Sequence, residues 1–259
     1  TLWGSLLVTT LAGQAFSWWV VHPSLTDIVG IGQVEPARRG SWVAFEATPR
    51  GRGDYAPAFL VDVDTGASIP LGGGFRFAMP VTFSADGRQV AWLDRTEMSA
   101  RRGAATLVTV DLASTPPTPQ HSAITFPSWV SRLVLSDDGR RIAALHEGTL
   151  SVSEVAGGAL VAAVRLPGPP HTAGAIHFLG HDAVRCYRFV PGASDPKLGA
   201  IESSDFDVAT RATTLAGRIE PAWIYDVVFL RTDRGSERLL CGTRAPGVGP
   251  SRLRRRGGA

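Results

Sequence analysis

Asparagine is absent from all 259 residues, and lysine occurs once, as Lys197, against 25 arginines. Without asparagine there is no N-glycosylation sequon. The arginine excess, beside 29 glycines and 18 prolines, reads as the codon usage of a GC-rich bacterial genome. It therefore removes the arginine count as an argument for nucleic-acid binding, and the net charge is only +3. Cysteine is scarce too. Cys186 and Cys241 lie far apart and have no metal-type spacing. They are either one disulfide in an oxidising compartment or two buried free thiols. Missing as well are a G-x-S-x-G elbow, a P-loop, an H-E-x-x-H pair and a dinucleotide fingerprint. Those absences remove the main signatures of hydrolases, nucleotide-binding enzymes and metalloproteases.

Charge is also missing from one stretch. Thr1 to Thr26 contains no Asp, Glu, Lys or Arg. The run from Leu2 to Val21 is long enough, as a helix, to cross a hydrocarbon core of about 30 Å. Trp18 and Trp19, then His22 and Pro23, suit an interfacial belt and a helix stop. The expectation is a transmembrane or membrane-docking helix over 1–23, with a cleaved signal peptide or a buried helix as alternatives. A linker or first strand over 24–39 follows, and 246–259 reads as a basic flexible tail.

The remainder repeats. Phe83-Ser84-Ala85-Asp86-Gly87-Arg88-Gln89-Val90-Ala91-Trp92 returns as Leu135-Ser136-Asp137-Asp138-Gly139-Arg140-Arg141-Ile142-Ala143-Ala144. A shorter copy is Gly40 to Phe45, and degraded copies are Phe178 to Cys186 and Phe229 to Cys241. In each, a short apolar strand ends at a Ser/Asp/Gly turn and a second strand leaves it. Asp before Gly supplies the side-chain bond and the positive φ of a tight hairpin. A second signal follows the first. Ala58-Phe59-Leu60-Val61-Asp62-Val63-Asp64-Thr65-Gly66 alternates in period two and then turns. Counterparts run from Ala105 to Leu112, from Gly148 to Gly157, and more weakly from Ile201 to Thr210. Asp86, Gly87, Asp138, Gly139, Asp64 and Gly66 are therefore expected as structural turn residues, with Gly87 and Gly139 between second and third strands.

Ser-x-Asp-Gly-Arg-x-Ile/Val-Ala followed by a Leu-x-Val-Asp-x-x-Thr-Gly strand resembles the blade repeat of TolB-type and WD-like β-propellers. The resemblance covers about residues 36–245. It implies an all-β fold of four to five blades over 40–245, closed or part of a larger propeller.

Candidate chemistry is thin. Asp62-Val63-Asp64-Thr65-Gly66 looks like the start of a calcium loop, but the glutamate that should end the loop is missing. Asp62 reads as mid-strand. His171, His177 and His181 form H-x5-H-x3-H, and three histidines can hold zinc; surface-loop positions explain two of them more simply. Arg52-Gly53-Asp54 sits in a glycine-rich loop and reads as solvated surface. The arginine pairs 38/39, 50/52, 101/102 and 140/141 fall in turns, and no aromatic interleaving suggests a stacking platform. No catalytic, cofactor or metal residue is assigned and no cofactor is expected. The expected function is a membrane-attached, non-catalytic propeller serving as a protein-interaction domain of an envelope or transporter complex, on the extracytoplasmic side. Its partners would be membrane proteins and, through the helix, the bilayer; nucleic acid is not expected. The alternatives are the propeller half of a membrane-anchored serine peptidase whose hydrolase domain is missing, or a soluble periplasmic binding propeller.

Overall fold

The computed structural model describes residues 28–49, 55–75, 81–94, 105–126, 130–166, 173–193 and 198–223, with two further strand pairs at 4–8/17–21 and 227–231/237–241. Among these residues there are strands and turns and no helix.

Four sheets of four strands follow one another along the chain. The strands of each pair antiparallel in chain order, so each sheet is a simple meander. Blade 1 holds β3 (Ile28–Pro36), β4 (Trp42–Pro49), β5 (Tyr55–Asp62) and β6 (Ser68–Phe75). Blade 2 holds β7 (Thr82–Phe83), β8 (Gln89–Asp94), β9 (Ala105–Asp111) and β10 (Gln120–Phe126). Blade 3 holds β11 (Val130–Leu135), β12 (Arg141–His146), β13 (Thr149–Glu154) and β14 (Leu160–Arg165). Blade 4 holds β15 (Ala173–Leu179), β16 (Ala183–Pro191), β17 (Leu198–Asp207) and β18 (Thr213–Trp223). Two strand pairs stand outside these blades: β1 (Gly4–Val8) with β2 (Ser17–Val21), and β19 (Val227–Arg231) with β20 (Glu237–Cys241).

The expected helix over 1–23 is thus corrected. Gly4–Val8 and Ser17–Val21 are antiparallel strands, with Leu6 opposite Trp19 and Leu7 opposite Trp18. Valine and tryptophan favour a pleated surface, and Gly4 and Ser17 weaken a helix, so pairing wins over helix formation. Among the described residues no helix is long and apolar enough to cross a membrane. The basic tail 246–259 and the Arg52-Gly53-Asp54 loop lie outside the described residues.

The core lies between blades rather than inside any one of them. Alternate residues of a strand point to opposite faces. In β8, Val90 and Trp92 pack with Leu60, Leu71 and Ala44 of blade 1. Ala91 and Leu93 pack the other way, with Leu133, Leu135 and Ile142 of blade 3. In β12, Ile142 and Ala144 join that second layer, while Ala143 and Leu145 meet Ile176, Phe178 and Val184 of blade 4. The middle strands β8, β12 and β13 are therefore buried on both faces over four consecutive residues. The two most exposed of the large apolar side chains, Leu160 on β14 and Leu215 on β18, lie on outer strands.

The inter-blade layers predict a sharp contrast. Leu150 is fully buried between blades 3 and 4, so Leu150→Ala should lower the unfolding free energy by about 3 kcal/mol. Leu160→Ala, at the exposed edge, should change it by less than about 0.5 kcal/mol. Urea titration of both variants checks this; equal losses would contradict the layer assignment.

Candidate functional site

In blades 2 and 3 the turn joining the first two strands is built from the repeat's Ser-x-Asp-Gly. In blade 2, Ser84 Oγ donates to Asp86 Oδ1 at 2.6 Å and accepts the Gln89 N–H at 3.0 Å. Asp86 Oδ1 also accepts the Arg88 N–H at 3.0 Å. Blade 3 repeats the geometry. Ser136 Oγ donates to Asp138 at 2.7 Å and accepts the Arg141 N–H at 2.9 Å, and the Arg140 N–H reaches Asp138 at 3.1 Å. Gly87 and Gly139 follow with φ of 72° and 70°, the left-handed conformation that closes the loop. They lie between first and second strands, not second and third: the short strands before Ser84 and Ser136 open their blades.

The other expected turn residues need one correction. Gly66 has φ of 75°, as its Thr-Gly position implies. The acid that organises this turn, however, is Asp62, the last residue of β5. Its carboxylate accepts the Asp64 N–H at 3.1 Å, the Thr65 hydroxyl at 2.7 Å and the Ser41 hydroxyl. Asp64 itself is exposed. The strand ends at Asp62, so its side chain faces the N–H groups of the turn. Asp207 does the same for Thr210 in blade 4, through the Thr210 N–H at 2.7 Å and hydroxyl at 2.8 Å.

One backbone bond joins the two turns of every blade. The N–H groups of Val63, Leu112, Val155 and Val208 donate to the carbonyls of Ser41, Arg88, Arg140 and Asp182, all at 2.7–2.8 Å. Both turns therefore lie at the same end of the blade, where charged side chains gather. Between blades 3 and 4 they line a cleft of about 300 Å³, bounded by Asp138, Arg140, Arg141, Glu154 and His181.

That cleft holds the densest polar chemistry among the described residues. Arg141 spans the blades: its Nε donates to Glu154 at 3.0 Å, and its Nη1 to Asp182 at 2.7 Å and to the His181 carbonyl at 2.9 Å. His181 Nδ1 lies 3.3 Å from Asp138 Oδ2. Desolvation opposes ionisation of Asp138. The Ser136 and Arg140 hydrogen bonds, with His181 and Arg140 nearby, outweigh it and hold the carboxyl below its ordinary value. The ion pairs to Glu154 and Asp182 hold the Arg141 guanidinium above its own.

Ser136, Asp138 and His181 have the composition of a hydrolytic triad but the wrong order. In a working triad the histidine stands between serine and acid. Here the carboxylate stands in the middle, with the serine on Oδ1 and the histidine on Oδ2. Ser136 is 1% exposed and its hydroxyl is engaged both as donor and as acceptor. The three form an inter-blade latch.

The histidine set expected as a remote zinc candidate is divided. His177 is buried in β15 and stacks on Tyr187, with ring centroids 5.7 Å apart, whereas His181 is exposed on the turn. His171 lies outside the described residues. Among the described residues no group of three His, Cys, Asp or Glu is placed to hold a metal ion. Cys186 is buried, and burial pushes its thiol up to about 12. Sequence reasoning missed Glu202, a nearly buried carboxylate on β17. It accepts from Arg188 Nε at 3.0 Å and from Arg218 Nη1 at 2.9 Å, on the strands either side. Only cross-strand register brings these three together.

With this geometry in view, the comparisons with solved structures decide the fold. The propeller domain of the Trilobed protease from Pyrococcus furiosus matches over 83% of this chain and 65% of its own, with 11% identity and a TM-score of 0.55. The putative TolB from Agrobacterium tumefaciens matches over 84% of this chain and 75% of its own, with 13% identity and a TM-score of 0.50. The chain folds as a β-propeller. The sequence-level resemblance to TolB-type repeats is thereby supported by structure. No protein-family model matches the chain, and no curated protein is similar enough to align with it. The chain spans about two thirds of the Pyrococcus propeller's length.

Two predictions follow from the propeller's turns. A methyl group on Gly87 would sit 2.1 Å from the Arg39 carbonyl oxygen, whereas at Gly180, with φ of 69°, nothing lies within 4 Å. Gly180→Ala should cost about 1 kcal/mol from backbone strain alone, and Gly87→Ala about 3 kcal/mol, read as thermal shifts. Equal shifts would refute the close turn-on-turn contact. The second concerns acid. Desolvation raises the Asp86 carboxyl, but hydrogen bonds from Ser84 and Arg88 hold it below its ordinary value of 3.8, as with Asp138. A depressed folded-state value stabilises above the unfolded one and is lost as pH falls. Stability should drop as pH falls through and below 3.8, and Asp86→Asn/Asp138→Asn should flatten that limb.

Proposed function

We propose that this propeller is non-catalytic and serves as an interaction domain whose rim contacts a protein partner. One observation carries the reading: the serine, aspartate and histidine most suited to catalysis are bound to each other in an order that leaves no activated nucleophile. A rigid row of turns, held by side-chain and backbone bonds, presents charged groups at fixed positions. That arrangement suits recognition.

The place we propose for this contact is an envelope or transporter complex, on the extracytoplasmic side of the membrane. Because 4–8 and 17–21 pair as strands instead of forming the expected helix, we place the attachment on the partner. Membrane fractionation tests this: co-sedimentation with membranes and release by alkaline carbonate support it, and an exclusively cytoplasmic pool overturns it. A second reading draws on the Pyrococcus relative, whose propeller belongs to a protease. On that reading the chain is the non-catalytic propeller of a longer peptidase.

The purified chain should hydrolyse neither ester nor peptide substrates above buffer. Ser136→Ala should lower stability by about 1–2 kcal/mol, because Asp138 and the Arg141 N–H lose a buried partner. Turnover that Ser136→Ala or His181→Ala abolishes would overturn the non-catalytic reading.

A further inference from the structure

The turns between first and second strands align residue for residue in three consecutive blades. Arg38-Arg39-Gly40-Ser41, Ala85-Asp86-Gly87-Arg88 and Asp137-Asp138-Gly139-Arg140 each place a positive-φ glycine third. They are in direct contact. Gly87 lies against the Arg39 backbone, Gly139 against the Gln89 side chain, and the Ala85 N–H donates to the Asp137 carbonyl at 3.3 Å. The three turns form one continuous ridge.

Charge on this ridge is sorted by direction. Asp86 and Asp138 point into their own turns and are occupied there by Ser84, Ser136 and backbone N–H groups. Arg39, Arg88 and Arg140 are exposed. The Arg140 side chain is 83% exposed and lies 3.9 Å from an Asp138 oxygen that His181 already meets at 3.3 Å. Arg88 and Arg140 occupy the same position of successive turns, and their carbonyls accept the Leu112 and Val155 N–H groups. Their backbones are held while their guanidiniums reach outward.

We propose that this ridge docks an acidic segment of a protein partner, with Arg39, Arg88 and Arg140 each taking a carboxylate. The proposal rests on the interaction reading above and names the partner's chemistry. A guanidinium binds a carboxylate through two parallel N–H···O bonds, which suits discrete acidic side chains. A polyphosphate backbone fits less well. The aspartates interleaved along the ridge oppose a continuous line of charge, and the ridge turns offer no aromatic ring for base stacking.

The test uses the whole chain and a fluorescein-labelled peptide of alternating Glu and Ser, read by anisotropy at low salt. Wild type should bind saturably and weaken as salt rises. Arg88→Gln/Arg140→Gln should bind about tenfold more weakly with an unchanged thermal midpoint. Arg165→Gln/Arg211→Gln removes the same charge from exposed positions off the ridge and should stay within about twofold of wild type. No saturable binding, equal losses in the two double variants, or tighter ridge-dependent binding of a charge-matched oligonucleotide would each overturn the proposal. A native partner held equally by wild type and Arg88→Gln/Arg140→Gln would sink the ridge and leave the interaction reading standing. Hydrolytic turnover would do the reverse.

Discussion

Burial of both faces of each middle strand is the constraint on which the structure depends. Val90 and Trp92 look to one neighbour while Ala91 and Leu93 look to the other. A blade alone would leave one such face, or both, in water. Burial of apolar area is the main favourable term in folding, so blades 2 and 3 are stable only as slices of a stack. Turn contact and the rim's geometry follow from stacking four-stranded meanders face to face.

The polar chemistry is subordinate to that stacking. Where two blades meet at the rim, their turns come close enough that a glycine in one must leave room for the other, as at Gly87 and Gly139. The Asp138–His181 and Arg141–Asp182 contacts then cross the same boundary between blades 3 and 4. These pairs are partly exposed, and such pairs add little stability singly. Their effect is to fix the relative position of turns that apolar packing has already brought together. The same engagement occupies the Ser136 hydroxyl both as donor and as acceptor, and holds this turn at a fixed position on the rim.

Much of this was legible in the chain. Ser84-Ala85-Asp86-Gly87 and Ser136-Asp137-Asp138-Gly139 announce tight hairpins because a short acid followed by glycine supplies both the bond and the positive φ. Less was legible where local signals conflict. The uncharged run from Leu2 to Val21 suits a helix by length and a strand by its valines and tryptophans, and length misled. Asp62 and Asp64 are two residues apart, so alternation alone leaves open which one faces the turn. The strand's last paired residue, Asp62 opposite Trp42, decides it.

The chain's local order carries the repeat and the turn chemistry, because both depend on residues a few positions apart; the four-stranded unit was implied only by the resemblance to propeller repeats. Tertiary structure alone decided which side chains from different blades meet. His181 reaches Asp138, Arg141 reaches Asp182, and Arg39, Arg88 and Arg140 fall on one ridge only after the blades stack. Glu202 gains Arg188 and Arg218 only through cross-strand register. No local pattern encodes such meetings, since they depend on the angle and spacing between sheets, and those are set by how the apolar layers pack.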